Sequence, residues 1–213
     1  MVDQTRDWVA WHRAYDDPTS RLSKRLLFVQ EHLRRAIDAT PGPLRIISMC
    51  AGEGRDVIGV LAEHPRRAEI AAHLVEIDPG IAAAARAAAR SAGLDRVDVV
   101  EADAAVTDSY EDAVPADIIL ACGIFGNIPD NDVRNTIAHL PCLSGPGATV
   151  IWTRGRELHR DFALTINEWF SADGFDAVAL EAPADATFRV GVNKLVAEPR
   201  PFERAVRLFT FLR

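Results

Sequence analysis

Residues 44–56, LRIISMCAGEGRD, join a short apolar segment to a glycine-containing turn and the start of a helix. Leu44–Met49 predicts a buried strand, because strands covered on both faces are almost continuously apolar. Gly52 and Gly54 follow, and glycine lets the backbone approach a ligand closely just before a helix begins. A tight strand-to-helix turn without any ligand is the alternative that this pattern leaves open.

Strands and helices alternate along the rest of the chain. Further strands are predicted at 72–77, 97–101, 117–122 and 148–152, and helices at 56–64, 79–92, 109–113, 130–140 and 158–172. Asp130 is the predicted N-cap of the 130–140 helix, and 141–147 is predicted to be a loop. Segments 175–180, 188–196 and 206–212 also have strand character but have no helices between them. This order predicts an α/β fold with a doubly wound, Rossmann-like, mostly parallel sheet and an antiparallel C-terminal edge.

The N-terminal residues have a different pattern. Leu22, Leu26, Val29, Leu33 and Ile37 recur at the spacing of an amphipathic helix, which 40–43, TPGP, should end. We expect residues 1–43 to form a helical cap or lid that belongs to the same domain as residues 44–213.

Composition excludes several classes of protein. A chain of 213 residues with 48% hydrophobic and 26% charged residues is typical of a folded domain. The net charge of −7 disfavours a nucleic-acid partner, and no apolar segment approaches the ~20 residues of a membrane span. The N-terminus does not resemble a signal peptide, and three cysteines do not suit a disulfide framework. We therefore expect a cytoplasmic protein that acts on a small molecule, with its oligomeric state left open.

Ligands of doubly wound sheets bind beyond the carboxyl ends of the strands. Glu76 ends the second predicted strand, at the distance from Gly54 expected of a carboxylate that binds ribose hydroxyls. Asp103 follows the third strand and could accept from the exocyclic amine of a purine. Val57 stands where the dinucleotide fingerprint G-x-G-x-x-G needs its third glycine, which disfavours a dehydrogenase.

In these features the chain resembles the class I S-adenosylmethionine-dependent methyltransferases over residues 44–213. Residues 48–54, SMCAGEG, fall on the family motif acid-x-Gly-x-Gly-x-Gly, with Ser48 and Cys50 replacing the acid and the first glycine. Glu76 and Ile77 match the residues that bind the ribose and pack on adenine. Residues 102–104 are similar to the motif whose Asp bonds the adenine amine, and 117–127 to the motif that borders cofactor and substrate.

The resemblance implies a seven-stranded sheet and S-adenosylmethionine as the cofactor. The matching positions predict these cofactor-binding residues: Cys50, Ala51, Gly52, Gly54, Arg55, Glu76, Ile77, Asp103, Ala104, Cys122 and Gly123. Family strand order implies that the strands ending near Cys50 and Cys122 are neighbours. We expect these two thiols to pack as small apolar groups and expect no metal site, because two sulfurs alone are an incomplete ligand set.

The predicted function is methyl transfer from S-adenosylmethionine to a small molecule. A methyltransferase of RNA or protein, and a non-catalytic protein that binds S-adenosylmethionine, are the alternatives. The candidate bases are His12, Tyr15 and His159, since an O- or N-nucleophile can require proton removal. The candidate substrate-binding residues are Trp11, Tyr15, Phe125, Asn127 and Arg154, each of which also has an interpretation as core packing, a turn or a surface ion pair.

Overall fold

Seven strands form one sheet in the computed structural model, which describes residues 13–155, 161–184 and 186–212. The strands are β1 (Leu44–Met49), β2 (Ile70–Glu76), β3 (Val97–Glu101), β4 (Ala116–Ala121), β5 (Ser144–Gly155), β6 (Phe175–Glu181) and β7 (Phe188–Leu195). Their order is β3-β2-β1-β4-β5-β7-β6, with β1 to β5 parallel and β7 antiparallel to both β5 and β6. The predicted doubly wound sheet with an antiparallel C-terminal edge is confirmed.

Helices cover both faces of this sheet. The described residues form five α-helices: α1 (Arg21–Ala39), α2 (Val57–Glu63), α3 (Pro79–Ser91), α4 (Asp130–Leu143) and α5 (Ala163–Ala172). Apolar side chains of α1, α2 and α3 form one core with the sheet, and those of α4 and α5 form the other. No helix in these described ranges combines the length and the apolar character needed to cross a membrane.

Helix α1 is an integral part of the first core. Ser20 caps its N-terminus, where the hydroxyl accepts from the Ser23 amide at 3.1 Å. At the other end the Arg66 guanidinium donates to the carbonyls of Ile37 at 2.7 Å and Thr40 at 2.8 Å. The Ile37 carbonyl also accepts from the Thr40 amide at 3.3 Å. The lid role predicted for residues 1–43 remains a prediction, and residues 1–12 lie outside the described residues.

Helix α4 differs from its predicted form at both ends. Pro129 occupies the N-cap position instead of Asp130, whose carboxylate binds Arg154 at 2.9 Å. The helix also continues through Pro141, where a loop had been expected. The Ser144 hydroxyl donates to the Leu140 carbonyl at 2.8 Å, which satisfies a carbonyl in the last turn. Helix α5 begins at Ala163 instead of residue 158.

The strand predicted at 206–212 is wrong. A single bridge between Arg207 and Val106 is the only ladder contact of this segment among the described residues. Leu208 and Phe209 are instead buried in the core beside α4, and the segment runs toward the carboxyl ends of β3 and β4. Its alternation of apolar and polar residues therefore comes from packing on the domain and not from pairing in the sheet.

Candidate functional site

A cavity lies at the carboxyl ends of the parallel strands. Strand β1 has β2 on one side and β4 on the other, so the connections from β1 and β4 leave in opposite senses and open a crevice. The cavity has a volume of about 390 Å³, within the range of small-molecule sites. Its lining consists of Tyr15, Arg25, Leu26, Cys50, Ala51, Gly52, Glu53, Arg55, Asp56, Glu76, Ile77, Asp78, Pro79, Ile81, Asp103, Ala104, Cys122, Gly123 and Phe211.

The turn between β1 and α2 forms the floor of this cavity. Gly52 has a φ of 58° and Gly54 a φ of 69°, conformations that glycine adopts without strain. A Cβ at Gly54 would stand 2.7 Å from side-chain atoms of both Ile58 and Leu74. Gly54 therefore brings α2 close to the sheet beneath the cavity, and it is not among the described residues that line it. The direct cofactor contact expected of Gly54 stays a prediction.

Cys50 has a backbone conformation that suits glycine better. Its φ of 50° lies in the left-handed region, where a Cβ crowds the following carbonyl at a cost of roughly 1–2 kcal/mol. The side chain lines the cavity and packs against the core that contains α4 and α5. Burial raises the pKa of this thiol strongly, with the Glu76 carboxylate acting in the same direction, so Cys50 stays neutral and unreactive.

The Glu76 carboxylate links the connection after β1 to the connection after β2 by hydrogen bonds. One oxygen accepts from the Gly52 amide at 2.9 Å, and the other accepts from the Asp78 amide at 2.9 Å. The side chain is only 8% exposed and lines the cavity. A carboxylate has about four lone-pair positions, so both oxygens can still accept from a ligand. Ile77 follows on the cavity wall with 65% of its surface exposed, as an apolar platform.

Asp103 lines the same cavity from the loop after β3. One carboxylate oxygen accepts from the Ala105 amide at 2.9 Å, which closes the turn around Asp103. The other accepts from the Arg207 guanidinium at 3.1 Å. The carboxylate is thus oriented by its own turn and by a residue far along the chain.

Two opposite charges lie at the α1 end of the cavity. Arg25 is 9% exposed and donates to the Tyr15 phenol oxygen at 3.1 Å. Asp56 caps α2 and accepts from the Val57 amide at 2.8 Å. Burial raises the pKa of Asp56 to about 6, while the nearby charge of Arg25 opposes the shift. This end of the cavity offers one buried cation and one buried carboxylate side by side.

Sequence reasoning missed both charged residues, although each left a signal. Arg25 lies in the apolar stripe of α1, three residues after Leu22 and four before Val29, where a charged residue is unexpected. Asp56 follows the glycine turn at the start of α2 and was assigned only to the helix. Phe211 was missed because the C-terminal segment had been assigned to the sheet.

The candidate base Tyr15 lies in this cavity. Burial raises the pKa of its phenol, an effect that outweighs the opposing influence of Arg25. A protonated phenol suits a hydrogen-bonding role better than proton abstraction. The Arg55 guanidinium lies 5.4 Å from the centre of the Tyr15 ring and pairs with Glu53 and Asp16. His12, His159 and Trp11 lie outside the described residues, so their roles stay predictions.

Three predicted substrate-binding residues are not among the described residues that line the cavity. Phe125 is fully buried, with its ring centroid 6.0 Å from that of Trp152. Asn127 donates from its side chain to the Gly123 carbonyl at 2.7 Å and so shapes the loop that follows β4. Arg154 is buried in its ion pair with Asp130. Phe125 and Asn127 thus have the packing and turn positions considered as alternatives, whereas Arg154 forms a buried ion pair in place of the surface pair considered for it.

Comparison with known proteins gives consistent results. A family model described as "Putative methyltransferase" matches residues 20–171, more than half of the chain. The structure resembles magnesium protoporphyrin IX methyltransferase from Synechocystis with bound SAM, with a TM-score of 0.70 at 13% identity over 90% of this chain and 92% of that chain. It also resembles the CurJ carbon methyltransferase, with a TM-score of 0.67 at 14% identity over 90% of this chain and 59% of that one.

An O-methyltransferase family protein from Burkholderia thailandensis has a TM-score of 0.61 at 14% identity, covering 86% of this chain and 61% of that one. No curated protein matches the sequence. Similarity at such low identity shows that the fold is shared.

Proposed function

The chain belongs to this family of methyltransferases, and we propose that it transfers a methyl group from S-adenosylmethionine to a small-molecule acceptor. The observation that carries the proposal is the cavity at the strand ends, which is lined by ten of the eleven predicted cofactor-binding residues, all except Gly54. These residues come from four separate connections of the fold, and they surround a single cavity of about 390 Å³.

The lining matches the chemistry of S-adenosylmethionine along its length. Glu76 can accept from both ribose hydroxyls while its backbone partners hold the carboxylate in place. Ile77 and Ala104 offer apolar surfaces to the adenine, and Asp103 an acceptor for its amine. The zwitterionic amino-acid end requires an anion-binding and a cation-binding group, which Arg25 and Asp56 provide.

The residues of this chain bind and orient the cofactor and the acceptor. When bound, the cofactor supplies a methyl group made electrophilic by the positive sulfonium. Arg25 would donate to the carboxylate and Asp56 would accept from the ammonium, and burial of both groups strengthens these interactions relative to water. Holding the two reactants in line supplies much of the acceleration of such a transfer. Tyr15 would position the acceptor through its protonated phenol.

A small-molecule acceptor is supported by charge and by size. The chain has a net charge of −7, which opposes approach to the phosphates of RNA. The cavity volume of about 390 Å³ lies in the range of small-molecule sites. A cytoplasmic location belongs to the same proposal and is supported by three free cysteines, an odd number that a disulfide framework does not use.

Two measurements test this proposal. Isothermal titration and thermal unfolding should show that the protein binds S-adenosylhomocysteine, and the absence of both heat and a thermal shift at millimolar ligand would argue against the proposed cofactor. Methyl-labelled S-adenosylmethionine should then be incubated with the protein and separated small-molecule, RNA and protein fractions of a cell extract. We expect label to appear in the small-molecule fraction, whereas label in RNA or protein would overturn the proposed substrate class.

A further inference from the structure

The C-terminal segment, residues 206–212, returns to the cavity after the sheet is complete. Its first residue, Val206, exchanges hydrogen bonds with Thr107 in the connection after β3, and the segment then runs to the loop that follows β4. The Leu208 amide donates to the Ala105 carbonyl at 2.7 Å, beside the β3 loop. The Leu212 amide donates to the Asn127 carbonyl at 2.8 Å, beside the β4 loop. Backbone hydrogen bonds therefore fix the C-terminal segment at two strand ends that border the cavity.

One side chain of this segment forms part of the cavity wall. Phe211 lines the cavity while 36% of its surface is exposed. Its ring meets the ring of Phe209 edge-on, with centroids 5.5 Å apart and an interplanar angle of 81°. Phe209 is only 2% exposed, so a buried ring holds an exposed one at the cavity mouth. An aromatic side chain fixed in this way binds an apolar ligand surface with little loss of conformational entropy.

A second side chain of the segment orients a cavity residue. The Arg207 guanidinium donates to the Asp103 carboxylate at 3.1 Å, while the Ala105 amide holds the other oxygen. Side chains of this pair are 57% and 41% exposed, so the pair contributes little to stability. Its effect is on geometry, because two donors together restrict rotation of the carboxylate that faces the cavity.

We propose that the C-terminal segment is a working part of the cofactor site. Phe211 packs against the adenosyl half of the ligand, and Arg207 is a positioning residue that keeps Asp103 aimed at the adenine amine. The assignment rests on the proposed function, since it takes the cavity to bind S-adenosylmethionine. It adds a binding residue and a positioning residue that no strand-end motif contains.

The role of Phe211 is tested with Phe211→Ala and with Leu212→Ala as the matched control. Leu212 is 60% exposed in the same segment and is not among the residues that line the cavity. The ligands are S-adenosylhomocysteine and 5′-methylthioadenosine, which keeps the adenosyl group but lacks the amino acid. Loss of the ring contact in Phe211→Ala should lower the affinity for both ligands about tenfold. The affinity of Leu212→Ala for each ligand should stay within about twofold of the wild-type value.

Equal affinity of Phe211→Ala and the wild type for both ligands would overturn the assignment. If the wild type binds neither ligand, the proposed function fails instead, so the two failures are distinguishable. Phe211→Leu keeps an apolar contact with Phe209 and replaces Phe211→Ala if that variant is unfolded at the assay temperature. Phe211→Leu should weaken the binding of both ligands more than Leu212→Ala does, because leucine does not reproduce the aromatic contact, and wild-type affinity for both ligands would overturn the assignment.

The role of Arg207 is tested by ligand preference. S-inosylhomocysteine has an oxygen in place of the adenine amine, so Asp103 of the wild type should favour S-adenosylhomocysteine over it. Arg207→Met should reduce this preference at least fivefold, and Arg207→Lys should restore it. Arg204→Met removes an exposed pair with Glu111 and serves as the control. An unchanged preference in Arg207→Met would overturn the positioning role, because a purely structural contribution does not discriminate between the two bases.

Discussion

Replacing Glu76 by glutamine should lower both the free energy of unfolding and the affinity for the proposed ligand, by amounts that follow from the hydrogen bonds of Glu76. Each carboxylate oxygen accepts one backbone amide at 2.9 Å. In Glu76→Gln the side-chain NH₂ must face one of these two N–H donors, so one charge-assisted bond becomes a contact between donors. Such a bond contributes about 1.5–3 kcal/mol, and the free energy of unfolding should fall by about 2–3 kcal/mol.

Binding of the ribose should lose a free energy comparable to this loss of stability. The amide oxygen can accept from one hydroxyl, but the charge and the second acceptor are gone. With about 1.4 kcal/mol for each tenfold change, the affinity for S-adenosylhomocysteine should fall roughly 10- to 100-fold. Isothermal titration measures this change, and urea unfolding establishes that each variant is folded at the titration temperature.

A neighbouring glutamate provides the control for this experiment. Glu101 is paired in register with Glu76 across β2 and β3, but it is exposed and absent from the cavity lining in the described residues. Glu101→Gln should change the affinity less than twofold. A 2′,3′-dideoxy analogue of the ligand should bind Glu76→Gln and the wild type with similar affinity. If folded Glu76→Gln binds S-adenosylhomocysteine within twofold of the wild type, the ribose is not held by Glu76.

Four further predictions concern the cavity residues Arg25, Asp56 and Cys50. Arg25→Met should lower the affinity for S-adenosylhomocysteine at least tenfold but leave the affinity for 5′-methylthioadenosine unchanged. The substitution Arg21→Met, at an exposed position of the same helix, is the control. Equal losses of affinity for both ligands would show that Arg25 does not bind the ligand carboxylate. Burial raises the pKa of Asp56 from 3.8 to about 6, so the folded state loses stability as Asp56 ionises between these pH values. In Asp56→Asn, the midpoint of urea unfolding should depend less on pH between pH 4 and pH 7 than it does in the wild type, and an unchanged pH dependence would contradict this prediction. The wild type should also bind S-adenosylhomocysteine about tenfold more tightly at pH 7.5 than at pH 5, because the ammonium requires ionised Asp56, and an affinity independent of pH would argue against this contact. Cys50 has a φ of 50°, which a β-branched side chain tolerates poorly. In urea titrations Cys50→Val should lower the free energy of unfolding by about 2 kcal/mol, whereas Cys50→Gly should change it by under about 1 kcal/mol. Equal effects of the two substitutions would show that the left-handed backbone imposes no strain.

Much of the strand-end chemistry was predictable because it depends on local order along the chain. A buried apolar strand followed by Gly52 indicates both a turn and its place at the sheet edge. Glu76 and Asp103 end or follow later strands of the same parallel set, so the topology brings them to the same edge. The alternation of strands and helices predicts their place at this edge, and the spacing from Gly54 and the family motifs supply their expected roles.

The remaining parts of the cavity depend on contacts between distant segments. Arg25 reaches the cavity because α1 packs across the sheet, and spacing within the helix predicts only which face is buried. Phe211 and Arg207 come from a segment whose alternating pattern equally suits a strand, and its final position depends on the space beside α4. Phe125 and Arg154 illustrate the converse. Phe125 follows β4 and Arg154 lies near the end of β5, yet both side chains are buried in the domain and not among the described residues that line the cavity.

A crystal structure of the protein with S-adenosylhomocysteine tests the central claim most directly. The account predicts ribose hydroxyl oxygens within about 3.2 Å of the Glu76 carboxylate, and the ligand carboxylate within the same distance of the Arg25 guanidinium. Ligand density elsewhere on the protein, or a ribose without any contact to Glu76, would contradict it.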